Sequence, residues 1–240
     1  MNASDTVDEA DAESSCDGTD PQAVLSTAEQ SDVEAQETLN VSYERLRHST
    51  DSTELSDMAH APLPDSSDQA AFSRSTALLE AVAGNPNTPV EDRVFLAERM
   101  PFPNVLVKLS TDSEADVRAA VAGNASDKNW LVGRLAKDAD ARVRSAALQN
   151  PQASWRIRLE GAQTQDLDAQ TLAYLATLGT ENEGDAPVIL ATMVRQAVAQ
   201  NSGTDERTLR TLSEDSQAEV AGAARHSLQG LSKDAEKPEE

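Results

Sequence analysis

Apolar residues in this chain fall in short clusters at helical spacing, and several clusters close on the same phrase. Ala81-Val82-Ala83-Gly84-Asn85 returns letter for letter as Ala120-Val121-Ala122-Gly123-Asn124. Looser copies are Ala146-Ala147-Leu148-Gln149-Asn150 and Ala197-Val198-Ala199-Gln200-Asn201. Counted from Asn124, Leu131 and Leu135 stand at plus 7 and plus 11, Asp138 at plus 14, Val143 at plus 19 and Ala147 at plus 23. Counted from Asn201, Leu209, Leu212, Asp215, Val220 and Ala224 stand at plus 8, 11, 14, 19 and 23. A fixed internal period decides the architecture before any other signal.

Each period holds two short helical segments with a polar turn between them. The first is typified by Trp130 to Ala136, the turn by Lys137 to Asp140 and the second by Val143 to Leu148. Pro86 and Pro151 follow the closing Asn and stop the helix, while Asn is expected to end it in a left-handed conformation. One such pair cannot bury its own apolar face, whereas stacked neighbours can. The pattern predicts an all-α protein, an α-solenoid of short two-helix repeats over residues 71–230. Asn85 and Asn124 lie 39 apart against 26 for Asn124 and Asn150, so Pro89 to Pro101 reads as an added helical turn. Residues 152–200 read as two irregular repeats joined by a loop from Gly179 to Asp185.

The pattern is absent at the start. Residues 1–70 read as an acidic, mostly disordered arm and linker, with room for a transient helix near Tyr43–His48 and for a degenerate first repeat at Leu55, Met58 and Leu63. Residues 231–240 read as a charged tail.

Charge sharpens this division. Of the formal net charge of -22, residues 1–70 contribute -15, with 17 acidic and 2 basic side chains. Residues 71–230 carry 21 acidic and 16 basic side chains. Such an arm solubilises the chain, or occupies a basic face. Aromatic residues make up 3%, so the core must be built from Ala, Leu and Val. The single cysteine, Cys16, permits no internal disulfide. With no long apolar run and no signal-like start, the chain is expected to be cytoplasmic, with no membrane partner.

The unit Leu-x-x-Leu-Ala-x-Asp followed by Val-Arg-x-Ala-x-x-x-Asn-Pro resembles the variant leucine-rich repeat family and is similar to HEAT-like repeats. Leu131, Leu135, Ala136, Asp138, Val143, Arg144, Ala146, Asn150 and Pro151 carry the resemblance, as do Leu106, Leu109, Asp112, Val117, Arg118, Ala120 and Asn124. The turn Asn85-Pro86-Asn87-Thr88-Pro89 resembles the Asn-Pro-x-Thr-Pro turn of the variant repeats. The resemblance implies alternating α- and 3₁₀-type helices in a right-handed superhelix. The iron–sulfur cluster of some members would need four thiolates and is not carried over.

Candidate chemistry is sparse. Asp112 and Arg118, and Asp138 and Arg144, are each six apart. They read as a ladder in which the carboxylate caps the next helix and pairs with an Arg of its own or a neighbouring repeat. Alternatively Arg118, Arg144 and Arg195 form a stripe that grips an anion. Arg195 has Ile189 where the others have Asp, and is expected to be the freest. Arg134, Arg142, Arg144, Arg156 and Arg158, with Trp130 and Trp155, form the densest basic cluster. Arg beside Trp suits nucleic acid, although the acidic chain opposes a polyphosphate. Trp130 and Trp155, 25 apart, also suit packing between repeats. His48, His60 and His226 are scattered. The sequence nominates no catalytic, cofactor-binding or metal-ligating residue. It is therefore read as a non-catalytic scaffold or adaptor for an unidentified protein, with nucleic-acid binding through the Arg/Trp surface as the alternative.

Overall fold

A computed structural model describes residues 37–126 and 130–235. Most of the expected arm, residues 1–36, and the end of the expected tail, 236–240, lie outside the described residues. Among those described there are thirteen helices and no β-strand. In chain order they are α1 (Leu39–His48), α2 (Ser52–Ala59), α3 (Gln69–Ala83), α4 (Val90–Arg99), α5 (Pro103–Leu109), α6 (Ala115–Gly123) and α7 (Val132–Leu135). These are followed by α8 (Ala141–Gln149), α9 (Trp155–Ala162), α10 (Ala169–Ala176), α11 (Val188–Gln200), α12 (Glu206–Leu212) and α13 (Ala218–Ala235). The resemblance implied 3₁₀ segments. The described residues hold none, and even the four-residue α7 is α-helical.

Local chemistry sets the helix starts. Asp51, Asp68, Asp140, Asp168 and Asp205 accept hydrogen bonds from backbone N–H groups two or three residues on, as does Ser154, satisfying donors that have no partner inside the helix. Pro103 opens α5, where a missing N–H costs nothing. The segment expected as a helical turn between Pro89 and Pro101 is the ten-residue α4.

The helical unit begins at Leu39, not near residue 70. α1 and α2 occupy residues whose composition reads as linker. Leu46, Leu55 and Ala59 are completely buried and join the core that also holds Leu79, Val82, Leu96 and Leu106. Three apolar side chains at the right spacing suffice, because α3 and α4 supply the rest of the surface around them. The buried set throughout is Leu, Val and Ala, as the low aromatic content requires.

Helices pack on the helix two places along the chain. One row runs α2, α4, α6, α8, α10, α12; in the other, α1 meets α3, α3 meets α5, α9 meets α11 and α11 meets α13. The closing Asn side chains stitch these neighbours together. Asn85 Nδ2, at the end of α3, donates to the carbonyls of Leu46 and Ser49 at the end of α1. Asn124, after α6, donates to Ala97, Glu98 and Met100 at the end of α4. Asn150, after α8, reaches Ala122 and Asn124, and Asn201, after α11, reaches Ala162 and Thr164. Each Oδ1 accepts the N–H two residues on, from Asn87, Ser126, Gln152 and Gly203. These Asn residues therefore do not adopt the expected left-handed backbone. Asn124, Asn150 and Asn201 are extended, with ψ of 115°, 131° and 128°. The amide caps the carbonyl end of a neighbouring helix, a task that Gly could not perform.

Candidate interaction surface

The arginines expected to face a ligand are mostly occupied within the stack. The side chain of Arg93, on α4, pairs with Asp112 and donates to the Thr88 carbonyl. Arg118, on α6, grips Asp138 with two hydrogen bonds, Nε to Oδ2 at 2.9 Å and Nη2 to Oδ1 at 3.0 Å. Its Nη1 also donates to the Asp112 carbonyl at 2.8 Å. Arg195, on α11, repeats the motif, with Nε to Asp215 Oδ2 at 2.7 Å and Nη1 to the Leu178 carbonyl at 2.7 Å. Asp112, Asp138 and Asp215 in turn accept the N–H two residues on, at Glu114, Asp140 and Gln217. The Asp therefore shapes the turn before one helix and holds the Arg of the helix two places back. The ladder runs between neighbours 19 or 20 residues apart rather than within a six-residue unit. The bidentate grip of Arg118 holds the Asp138 carboxyl below the usual carboxylate range.

Arg195 is not the freest of the set. Its side chain is 4% exposed and its carboxylate partner 6%. Asp215 comes from the following repeat, which a search six residues upstream cannot see.

Among the described residues, Arg144 is the one member of this series that holds no carboxylate. Its Nη1 donates to the carbonyls of Asp138 and Ala139 at 2.9 and 2.8 Å, and its Nη2 to the Asp166 carbonyl at 3.3 Å. Asp166 stands three residues before α10, the place that Asp112 and Asp138 hold before α6 and α8. It offers its backbone, while the residue is exposed and forms no ion pair among the described residues. Arg144 lines an open cleft of about 400 Å³ with Ala136, Lys137, Ile157, Glu160, Gly161, Thr164 and Asp166, so two carboxylates share the cleft with two cations.

The basic cluster is dispersed. Arg158 is buried at 1% exposure, holds both carboxylate oxygens of Glu183 at 2.6 Å and lies 4.9 Å from the centre of the Trp155 ring. Its Nη2 also donates to the Asn150 carbonyl. Burial and the Glu183 carboxylate beside it raise the Tyr174 hydroxyl. Glu183 sits at a φ of 50°, a left-handed conformation rare for Glu, and this clamp fixes the loop between α10 and α11. Arg142 is shared between Asp116 and Asp140, Arg156 pairs with Glu160, and Arg134 donates to Ser110. Trp155 is half-buried against the core, but Trp130 is 67% exposed and does not pack between repeats.

Two features have no clear sequence signal. His60 Nε2 lies 2.8 Å from Asp92 Oδ1 and its ring stacks on Phe95, tying α2 to α4. The start of α11 exposes Val188, Ile189, Leu190 and Met193. The described residues contain no group of three metal-ligating side chains, and no helix among them is long and apolar enough to cross a membrane. No family model, curated protein or solved structure matches the chain.

Proposed function

We propose that the helices form an α-solenoid of the kind the repeats resemble, and that it serves as a non-catalytic scaffold that binds another protein. The observation that carries this reading is the division of labour among equivalent arginines. Arg93, Arg118 and Arg195 hold neighbouring helices together through Asp112, Asp138 and Asp215. Arg144 occupies the same position beside an open cleft with an apolar wall at Ile157 and no carboxylate bound to it. A stack in which one ladder guanidinium is held only by backbone carbonyls among the described residues suits recognition of a carboxylate-bearing segment of a partner, because Arg presents a preorganised fork to a carboxylate. Trp130, exposed nearby in sequence, is a candidate aromatic anchor.

The nucleic-acid alternative finds less support. Arg142, Arg156 and Arg158 already hold carboxylates, so few cations remain to displace counterions from a phosphate backbone. The test is affinity capture from the native cell lysate with the full chain, its Arg144→Glu variant, and nuclease treatment of each. A partner that survives nuclease and is lost with Arg144→Glu supports the scaffold reading. Partners that vanish with nuclease overturn it in favour of nucleic acid.

A further inference from the structure

Three of the helices that end in the recurring Asn, α6, α8 and α11, carry a ladder arginine and can be aligned on it; α3 has Leu79 in that place. Arg195 of α11 takes the place of Arg118 in α6 and Arg144 in α8, and Val194 that of Val117 and Val143. In this register α6 and α8 begin at Ala115 and Ala141, and Thr192 is the equivalent residue in α11. α11, with thirteen residues against nine, therefore carries an extra first turn, Val188 to Ala191. In α6, α8 and α13 the residue before the buried Val is charged and exposed, as Asp116, Arg142 and Glu219. In α11 that residue is Met193, 44% exposed.

The extra turn is apolar as well. Val188 is 65% exposed, Ile189 76% and Leu190 38%, while Ala191 faces the core. Ile189 and Met193 are four residues apart and Leu190 and Met193 three, so they share one helix face. Arg195 is the only charged residue of α11, and it is buried. A run of adjacent exposed apolar side chains with no interspersed charge marks a contact surface. The loop leading into this helix is acidic. Glu183 is held by Arg158, but Glu181 and Asp185 are exposed and form no ion pair among the described residues.

We propose that the first two turns of α11 are a docking surface for a basic amphipathic helix of a partner protein. Its apolar face covers Val188, Ile189, Leu190 and Met193, and its Lys or Arg residues meet Glu181 and Asp185. The patch is two helical turns long, the length of an i, i+3, i+4 set of anchors, which matches helix-on-face recognition. A second copy of this chain is the less suitable occupant. A two-fold contact through this face brings both acidic loops together, and like charges across an interface are costly. This inference rests on the scaffold reading above but uses a different surface from Arg144.

The probe is a fluorescein-labelled synthetic helix of about 18 residues, long enough for a stable Leu face and a Lys face. It is titrated with the full chain at physiological salt, beside a peptide of the same composition scrambled to have no apolar face. We expect the amphipathic peptide to bind more tightly than the scrambled one, and the double variant Ile189→Glu/Met193→Glu to bind it about ten-fold more weakly. The Glu181→Gln/Asp185→Asn variant loses a few-fold at low salt and little at high salt. All substituted positions are exposed, so circular dichroism should show an unchanged helical content. Equal binding by wild type and the Ile189/Met193 variant, or no preference over the scrambled peptide, overturns the proposal. Dimerisation of the wild type in sedimentation that the variant abolishes also overturns it, by naming a second copy as the occupant. Arg144-dependent capture that persists while the peptide test fails overturns this surface alone and leaves the scaffold reading standing.

Discussion

Asn150 shows how much one side chain carries in this fold. It is buried, donates to the carbonyls of Ala122 and Asn124 at the end of α6, and accepts the N–H of Gln152. Its replacement removes the partner of two buried carbonyls and of the Gln152 N–H. Asn150→Ala should therefore cost about 2–4 kcal/mol in urea unfolding. Asn87 makes an exposed bond to the Ser49 carbonyl, and Asn87→Ala should cost under about 0.5 kcal/mol. Similar losses for the two variants would mean that the buried amides do not hold the neighbours together. The same residue type thus has two different weights, and burial of its partners separates them.

At the scale of the element, the ladder helices that close on Asn, α6, α8 and α11, are held at two points. The closing Asn reaches back to the helix two places before, and the Arg reaches forward to the turn two places after, as α6 does with Asn124 and Arg118. In the α6 rung, the hydrogen bonds from Arg118 depress the Asp138 carboxyl below its usual range. A depressed carboxyl contributes stability above its unfolded pKa of about 3.9, and this contribution is lost as pH falls through the lower folded value. The stability gap between the wild type and Asp138→Asn should therefore be constant from about pH 7 to 5 and narrow between about pH 4 and 2. Urea unfolding across that range checks it. A gap that widened on acidification would show that Asp138 is not the ionised partner of the rung.

The whole molecule carries a formal charge of -22, yet its interior rungs are neutral pairs. Excess like charge opposes compaction, and salt screens it more effectively than it screens buried pairs. The melting temperature should rise by a few degrees between about 10 mM and about 300 mM NaCl. Calorimetry at low protein concentration would read this directly, and a fall would mean that surface ion pairs such as Arg142 with Asp116 dominate. Two rows of helices related by neighbour contacts also explain why a low-aromatic chain has a core. Leu106, Leu109, Val117 and Val121 are all fully buried because each helix meets others of the stack on more than one side.

The sequence by itself determined the helical class, the spacing of the repeated phrase and that the core would be built of Leu, Val and Ala. These follow from composition and local spacing, since a 3.6-residue period and a stop at Asn-Pro act within one repeat. It pointed to the Arg and Asp of the ladder but not to their pairing. Only the tertiary structure decided that Asp138 holds Arg118, that Asp215 holds Arg195 and that Arg144 is left with backbone carbonyls, because each partner comes from a neighbouring repeat. It likewise decided that α1 and α2 belong to the core, since sparse apolar residues bury only when α3 and α4 complete their surroundings. The exposed start of α11 was hidden for the converse reason. Val188, Ile189 and Leu190 look like core to any hydropathy pattern, and only the packing of the neighbours shows that nothing in the described chain covers them.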